Sequence, residues 1–221
     1  MKKFNRIVFL VCGLLLITLA AVPVFAQQEA ADGNQAKKTE INKKPFDDLA
    51  KEIRRKVAAK EVDLSKPFSI KLQGVLNKDG KLDRKTAKFA KGEGDAAMIE
   101  IGKSVIEAIN DSGFFIYLSQ LGAEKIDFTL AQDDTQTYVV FISELATVQR
   151  AMTAASGLNT LIKINSFSAK NDTKRLNDET RILMDGMTVN GEDKKLVIKM
   201  AYEKSFVQEL INRKLKESEK K

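Results

Sequence analysis

The fold class predicted is α+β, with three β-hairpin-plus-helix units whose antiparallel strands form one sheet or two and whose helices pack on one face. Three observations lead there. Three stretches alternate apolar and polar residues on either side of a polar turn. Each is followed by apolar residues at helical spacing, and the pattern returns at intervals of roughly 60 residues. The chain has 221 residues, 43% of them apolar and 30% charged, the composition of a globular protein with room for one sizeable core.

The N-terminus comes first in chain order. Lys2, Lys3 and Arg6 precede an uncharged run from Ile7 to Ala21 that includes Leu10, Leu14, Leu15, Leu16, Ile17 and Leu19. Pro23 comes next, and then Val24 and Ala26 occupy the third and first places before Gln27, the pattern a signal peptidase reads. Residues 1–26 are therefore expected to be a cleaved export signal, leaving a periplasmic or extracellular product that starts at Gln27. The alternative is an inner-membrane anchor formed by residues 7–26, because about 20 apolar residues suffice to span a bilayer. Cys12 sits within the apolar run, not at its end, which argues against a lipid-modified cysteine.

Residues 27–44 are polar and lack periodic apolar positions, as expected of a mobile linker. A basic amphipathic helix is predicted over 45–60: Pro45 suits its first turn, Asp47 and Asp48 its N-terminal dipole, and Phe46, Leu49, Ile53 and Val57 form one stripe. Lys51, Arg54, Arg55 and Lys56 face the other way. They would contact an anionic surface, or be solvated while the stripe docks on the domain C-terminal to it.

The domain proper is read over 67–215, with sub-units 67–122, 123–176 and 177–215. In the first, Phe68, Ile70 and Leu72 alternate with polar residues, residues 77–80 turn, and 81–90 are read as the returning strand. Asp95 caps a helix carrying Met98, Ile101, Val105 and Ile109, which 110–113 stop; 114–122 fit a short helix better than a strand. In the second, Ile126, Phe128 and Leu130 lead through 132–136 into an aromatic and β-branched strand, 138–142. Ser143 is read as the cap of a long helix bearing Leu145, Val148, Met152, Ala155 and Ile162. Its small-residue centre, 154–157, invites close approach by another backbone. Residues 167–177 read as a polar connector. The third unit comprises a short helix over 178–185, a hairpin of 187–189 and 195–201 turning at 190–193, and a helix with Phe206, Val207, Leu210, Ile211 and Leu215; 216–221 form a charged tail.

The first unit, from Phe68 through Lys78-Asp79-Gly80-Lys81 to Gly94-Asp95 and the helix ending at Ile109, resembles the C-terminal domain of TonB-type energy transducers over about residues 67–112. The resemblance implies a periplasmic module that pairs by strand addition with a segment of an outer-membrane partner, and an N-terminus anchored in the inner membrane. Two features depart from that family. The chain has no His, whereas the family's membrane helix carries one for coupling, and it lacks the Pro-rich spacer.

Composition excludes several chemistries. With no His and one Cys there is no Ser-His or Cys-His pair, no His-ligated metal, no thiolate zinc cage and no internal disulfide. Asp127, Asp133 and Asp134 lack the ligand ladder of a calcium loop, and Lys103, Ser104 and Glu107 match no Ser-Lys signature. No catalytic residue, cofactor or metal is assigned. Nucleic acid is not an expected partner, since an exported chain with an excess of 34 basic over 30 acidic residues beyond residue 26 lacks basic-aromatic interleaving. Phe114, Phe115, Tyr117 and Leu118 are either core or the wall of an apolar groove. The function expected is an exported, non-enzymatic interaction module of the cell envelope with a protein partner not identified. The alternative is a periplasmic lipid or hydrophobic-ligand carrier, with an anchored energy transducer behind both.

Overall fold

The computed structural model describes residues 41–77, 79–171 and 178–219. Its elements are α1 (Lys44–Ala58), β1 (Phe68–Val75), β2 (Lys88–Phe89), β3 (Glu93–Gly94), α2 (Ala96–Asp111), α3 (Ile116–Gln120), β4 (Lys125–Gln132), β5 (Gln136–Glu144), α4 (Val148–Asn171), α5 (Asp178–Asp185), β6 (Met187–Glu192), β7 (Lys195–Glu203) and α6 (Lys204–Glu219). The strands of all three units join one antiparallel sheet, in the order β2-β1-β4-β5-β7-β6, with β3 also paired to β1. The mixed α+β class is therefore observed, as one sheet.

Alternation of side chains places Phe68, Ile70 and Leu72 beside Leu130 and Phe128, then Val139 and Phe141, then Met200 and Ile198, and finally Met187 and Val189. All are buried, and together they make the floor of the core. Phe128 and Phe141, directly opposite each other, meet edge-on at 4.3 Å between ring centroids. The helices complete the core from α2 (Met98, Ile101, Val105, Ile109) and α4 (Ala151, Ala155, Leu158). α6 brings buried Val207 and Leu210 against β5 and β7. Gln132 is one of the buried polar residues: its amide nitrogen donates to the carbonyls of Leu64 and Lys66, and its oxygen accepts from the Thr137 hydroxyl. It ties the loop before β1 to the sheet.

Each edge of the sheet is covered. On the outer side of β1, Ala90 N–H donates to Lys71 O, Asp83 N–H to Val75 O and Asp95 N–H to Pro67 O, while the Thr86 hydroxyl accepts from Val75 N–H. At the far edge, Ala201 N–H donates to Gly186 O, which turns the even-numbered residues of β6 toward β7 and leaves the Val189 carbonyl pointing outward. Asn159 of α4 donates to that carbonyl at 2.7 Å. α4 lies close because β6 offers glycine: a Cβ on Gly191 would stand 2.9 Å from Met152 Cα and 3.0 Å from Ala151 O.

Several expectations are corrected. Residues 81–90 do not return as one strand, because Asp83 accepts backbone N–H groups in a turn and Gly92 comes soon after, so only a Leu76–Leu82 bridge and the two-residue β2 and β3 form. The cap of α4 is Thr147, whose hydroxyl accepts from Arg150 N–H; Ser143 is buried within β5, which runs two residues past the expected strand end at Ile142. Val148 and Met152 are exposed, since Ala151, Ala155 and Leu158 set the buried stripe. The close approach expected at 154–157 centres instead on 151–152, with the glycine on the strand. α4 continues through Asn171, taking in part of the expected connector, and 172–177 lie outside the described residues. Asn190 and Gly191 stay in β6, so the third turn is Asp193-Lys194, with Asp193 at φ +52°. The expected linker ends early: Ile41 packs against the core and Asn42 N–H donates to Ser112 O.

Candidate functional site

Helix α1 owes its position to two apolar side chains. Phe46 and Leu49 are buried against the core and bring α1 alongside α2. α2 itself starts where Asp95 accepts a hydrogen bond from Met98 N–H at 2.9 Å. Between the two helices runs an open groove of about 510 Å³. Lys44, Asp48 and Glu52 line it from α1, and Ser104, Glu107 and Asp111 from α2. Leu49, Pro45 and Ala108 supply its apolar part. Four carboxylates line it with one lysine, and Lys51 and Lys56 reach Asp48 and Glu52 from outside the lining, which leaves Glu107 and Asp111 of α2 to give it an acidic side.

Lys44 bridges to Asp48 at 2.6 Å, and Lys51 approaches the same carboxylate at 3.6 Å. The hydrogen bond from Lys44 is the main cause that holds the Asp48 carboxyl below its ordinary range, and the same bond raises the Lys44 ammonium. Both groups are exposed, so the pair contributes little to stability. What the groove can do chemically is hold a cationic side chain or a basic segment.

Of the four cations proposed on α1, Lys51 pairs with Asp48, Arg55 with Glu61 at 3.0 Å, and Lys56 with Glu52 at 2.9 Å. Arg54 Nε donates to Ala50 O. They are thus on one helix as expected, and interleaved with acids from the same helix and the loop after it. Phe114, Phe115 and Leu118 are 1%, 0% and 1% exposed. Phe115 meets Phe114 and Phe141 edge-on, and Phe114 meets half-buried Tyr117. They fill the space between helices and sheet, so the core reading of this cluster describes their packing, and the apolar-groove reading gains nothing from it. Burial raises the Tyr117 phenol. Val24, Ala26 and Gln27 lie outside the described residues.

Asp133 accepts from the N–H groups of Thr135 and Gln136 and from the Thr135 hydroxyl, which holds its carboxyl low and marks it as a turn residue. Lys103 pairs with Glu100 at 2.6 Å. Among the described residues no group of three or more His, Cys, Asp or Glu is placed to hold a metal ion, and no helix is long and apolar enough to cross a membrane. The groove carboxylates were not foreseen. Asp48 and Glu52 stand one turn apart, and Ser104, Glu107 and Asp111 lie along a helical stripe; those two polar stripes were legible, but which helix faces which was not. No protein-family model, curated protein or solved structure matches this chain.

Proposed function

We propose that this chain is an exported module of the cell envelope that works by binding a protein partner, with no catalytic step of its own. The observation that carries the proposal is the acidic groove between α1 and α2, open to solvent and edged by Asp48, Glu52, Glu107 and Asp111. Its lining suits a basic peptide segment better than an acyl chain. The export signature at residues 1–26, the resemblance to TonB C-terminal domains over 67–112 and the absence of His from the sequence support the same reading.

The mode of contact differs from that of the resembling family. Strand addition at β1 would have to displace β2, β3 and the 83–86 turn, and at β6 it would have to displace Asn159. Side chains in the groove therefore carry the contact in this proposal. The carrier alternative loses its candidate wall, because the aromatic cluster at 114–118 is occupied by its own packing.

The test is site-specific photocrosslinking from position 107 in intact cells, with subsequent fractionation, mass identification and N-terminal sequencing of the protein recovered. The expected outcome is one discrete protein adduct on a chain beginning at Gln27, lost when Asp48 and Glu52 are both changed to Lys. Adducts to lipid alone, or a protein adduct indifferent to those two changes, would overturn the proposal. A chain recovered with residues 1–26 still attached in the inner membrane would replace the secreted form by the anchored one.

A further inference from the structure

We infer that the outer edge of β1, built by residues 81–91, is a docking surface for an anionic phospholipid bilayer. The first observation is where the charge lies. Residues 78–91 contain six cations (Lys78, Lys81, Arg84, Lys85, Lys88, Lys91) and two acids (Asp79, Asp83), an excess of four. The 34 basic and 30 acidic residues beyond residue 26 leave the same excess. One short stretch thus holds the whole net charge of the processed chain.

The second observation is that these cations are not matched locally. Lys81, Arg84, Lys85, Lys88 and Lys91 are all exposed, and among the described residues none has an ion-pair partner. The nearby acid, Asp83, turns its carboxylate to the backbone N–H of Lys85. Other cationic regions differ. On α1 the lysines and Arg55 alternate with Asp48, Glu52 and Glu61. On the sheet, Lys125 and Lys195 alternate with Glu144 and Glu192 across neighbouring strands.

The third is geometry. Asp83 is held at Val75, Lys88 lies opposite Gln73, and Ala90 is bonded to Lys71, so Arg84, Lys85, Lys88 and Lys91 are strung along about 15 Å of strand edge. Along the same edge lie Phe89, 37% exposed on the face it shares with Leu72, and Val75, 36% exposed on the face of Gln73 and Lys88. An acidic polymer would satisfy the cations and leave that ring in water. A bilayer interface takes both, with lysine heads at the phosphates and the phenyl ring beneath them. The surface is separate from the α1/α2 groove and does not depend on it.

The experiment is flotation of the protein purified from its own cells with vesicles of phosphatidylcholine alone, and with vesicles also containing phosphatidylglycerol, at low and high salt. Neutral vesicles give the baseline that any retained apolar N-terminus would produce. Binding in excess of that baseline is expected on anionic vesicles, falling as salt rises. Lys85→Glu with Lys88→Glu should lower the excess by about tenfold or more, and Phe89→Ser should lower it while leaving its salt dependence unchanged. Lys51→Glu with Lys56→Glu on α1 should leave it intact. Thermal melting of each variant separates loss of binding from loss of fold. No excess on anionic vesicles, an excess that survives reversal at 85 and 88, or one that is lost by reversal on α1 would overturn the inference. So would binding to polyglutamate, without vesicle binding, that the same reversal abolishes.

Discussion

At β6 the sheet ends beneath a helix, with the Asn159 amide on the Val189 carbonyl and Gly191 pressed to the backbone of α4. At β1 it ends in a broken segment whose turn, β2 and β3 take up the outward polar groups while its lysines and Arg84 stand in water. The outward groups of β1 find partners along its length, β6 lies against α4, and neither edge presents a long free strand, which is how edge-to-edge association is avoided. The difference lies in what each closure is made of: close packing at one edge, short hydrogen-bonded turns and charge at the other. Substitutions should therefore register in stability at β6 and in binding at β1.

The sharpest way to break that contrast is Gly191→Val. Its side chain has no room against Met152 Cα and Ala151 O, so α4 must lift from the strand, and the variant should lose about 1–3 kcal/mol in chemical denaturation. Equal stability would mean that close packing does not hold α4 to β6. A smaller effect is expected at Tyr202, just beyond the covered strand, whose hydroxyl donates to Leu183 O. Burial raises this phenol above its ordinary value. Above about pH 10 the unfolded chain loses the proton and the folded chain keeps it, so folding stability declines as pH rises. Tyr202→Phe should cost about 1 kcal/mol at neutral pH for the lost hydrogen bond. The gap to the parent should then close in denaturation series run upward through pH 10; a constant gap would refute the linkage. The smallest effect belongs to the other edge: Lys85→Glu with Lys88→Glu should alter stability by less than about 0.5 kcal/mol, and a larger loss would show that this edge too is built on packing.

The sequence carried most of the elements but not how they are joined. Alternation in Phe68, Ile70 and Leu72 and in Ile126, Phe128 and Leu130 was enough to locate β1 and β4, and Asp95 was enough to start α2, because these signals are local. That β5 pairs with β7, so that the last hairpin adds with its first strand outermost, depends on contacts between residues some 60 apart and leaves no local trace. The break at 83–92 was hidden because alternation says nothing about which strand acceptors a side chain such as Thr86 will replace. Site residues divide along the same line. The cations of α1 were visible as a face, but their neutralisation by Glu52 and Glu61 required the folded helix and the loop after it. The groove needed two helices to meet, and the open charge at 81–91 was concealed by reading that stretch as an ordinary strand.

The order of chain synthesis gives the sealed edge one more consequence. Helix α4 emerges from the ribosome ahead of residues 187–192, so Ala151, Ala155 and Leu158 have no strand β6 to cover when they first appear. A product that stops short of β6 would keep that apolar stripe uncovered and β5 without its neighbour β7. The final hairpin thus covers that stripe late in synthesis, with α6 still to follow, and until then the nascent chain exposes apolar surface of the kind chaperones and proteases recognise.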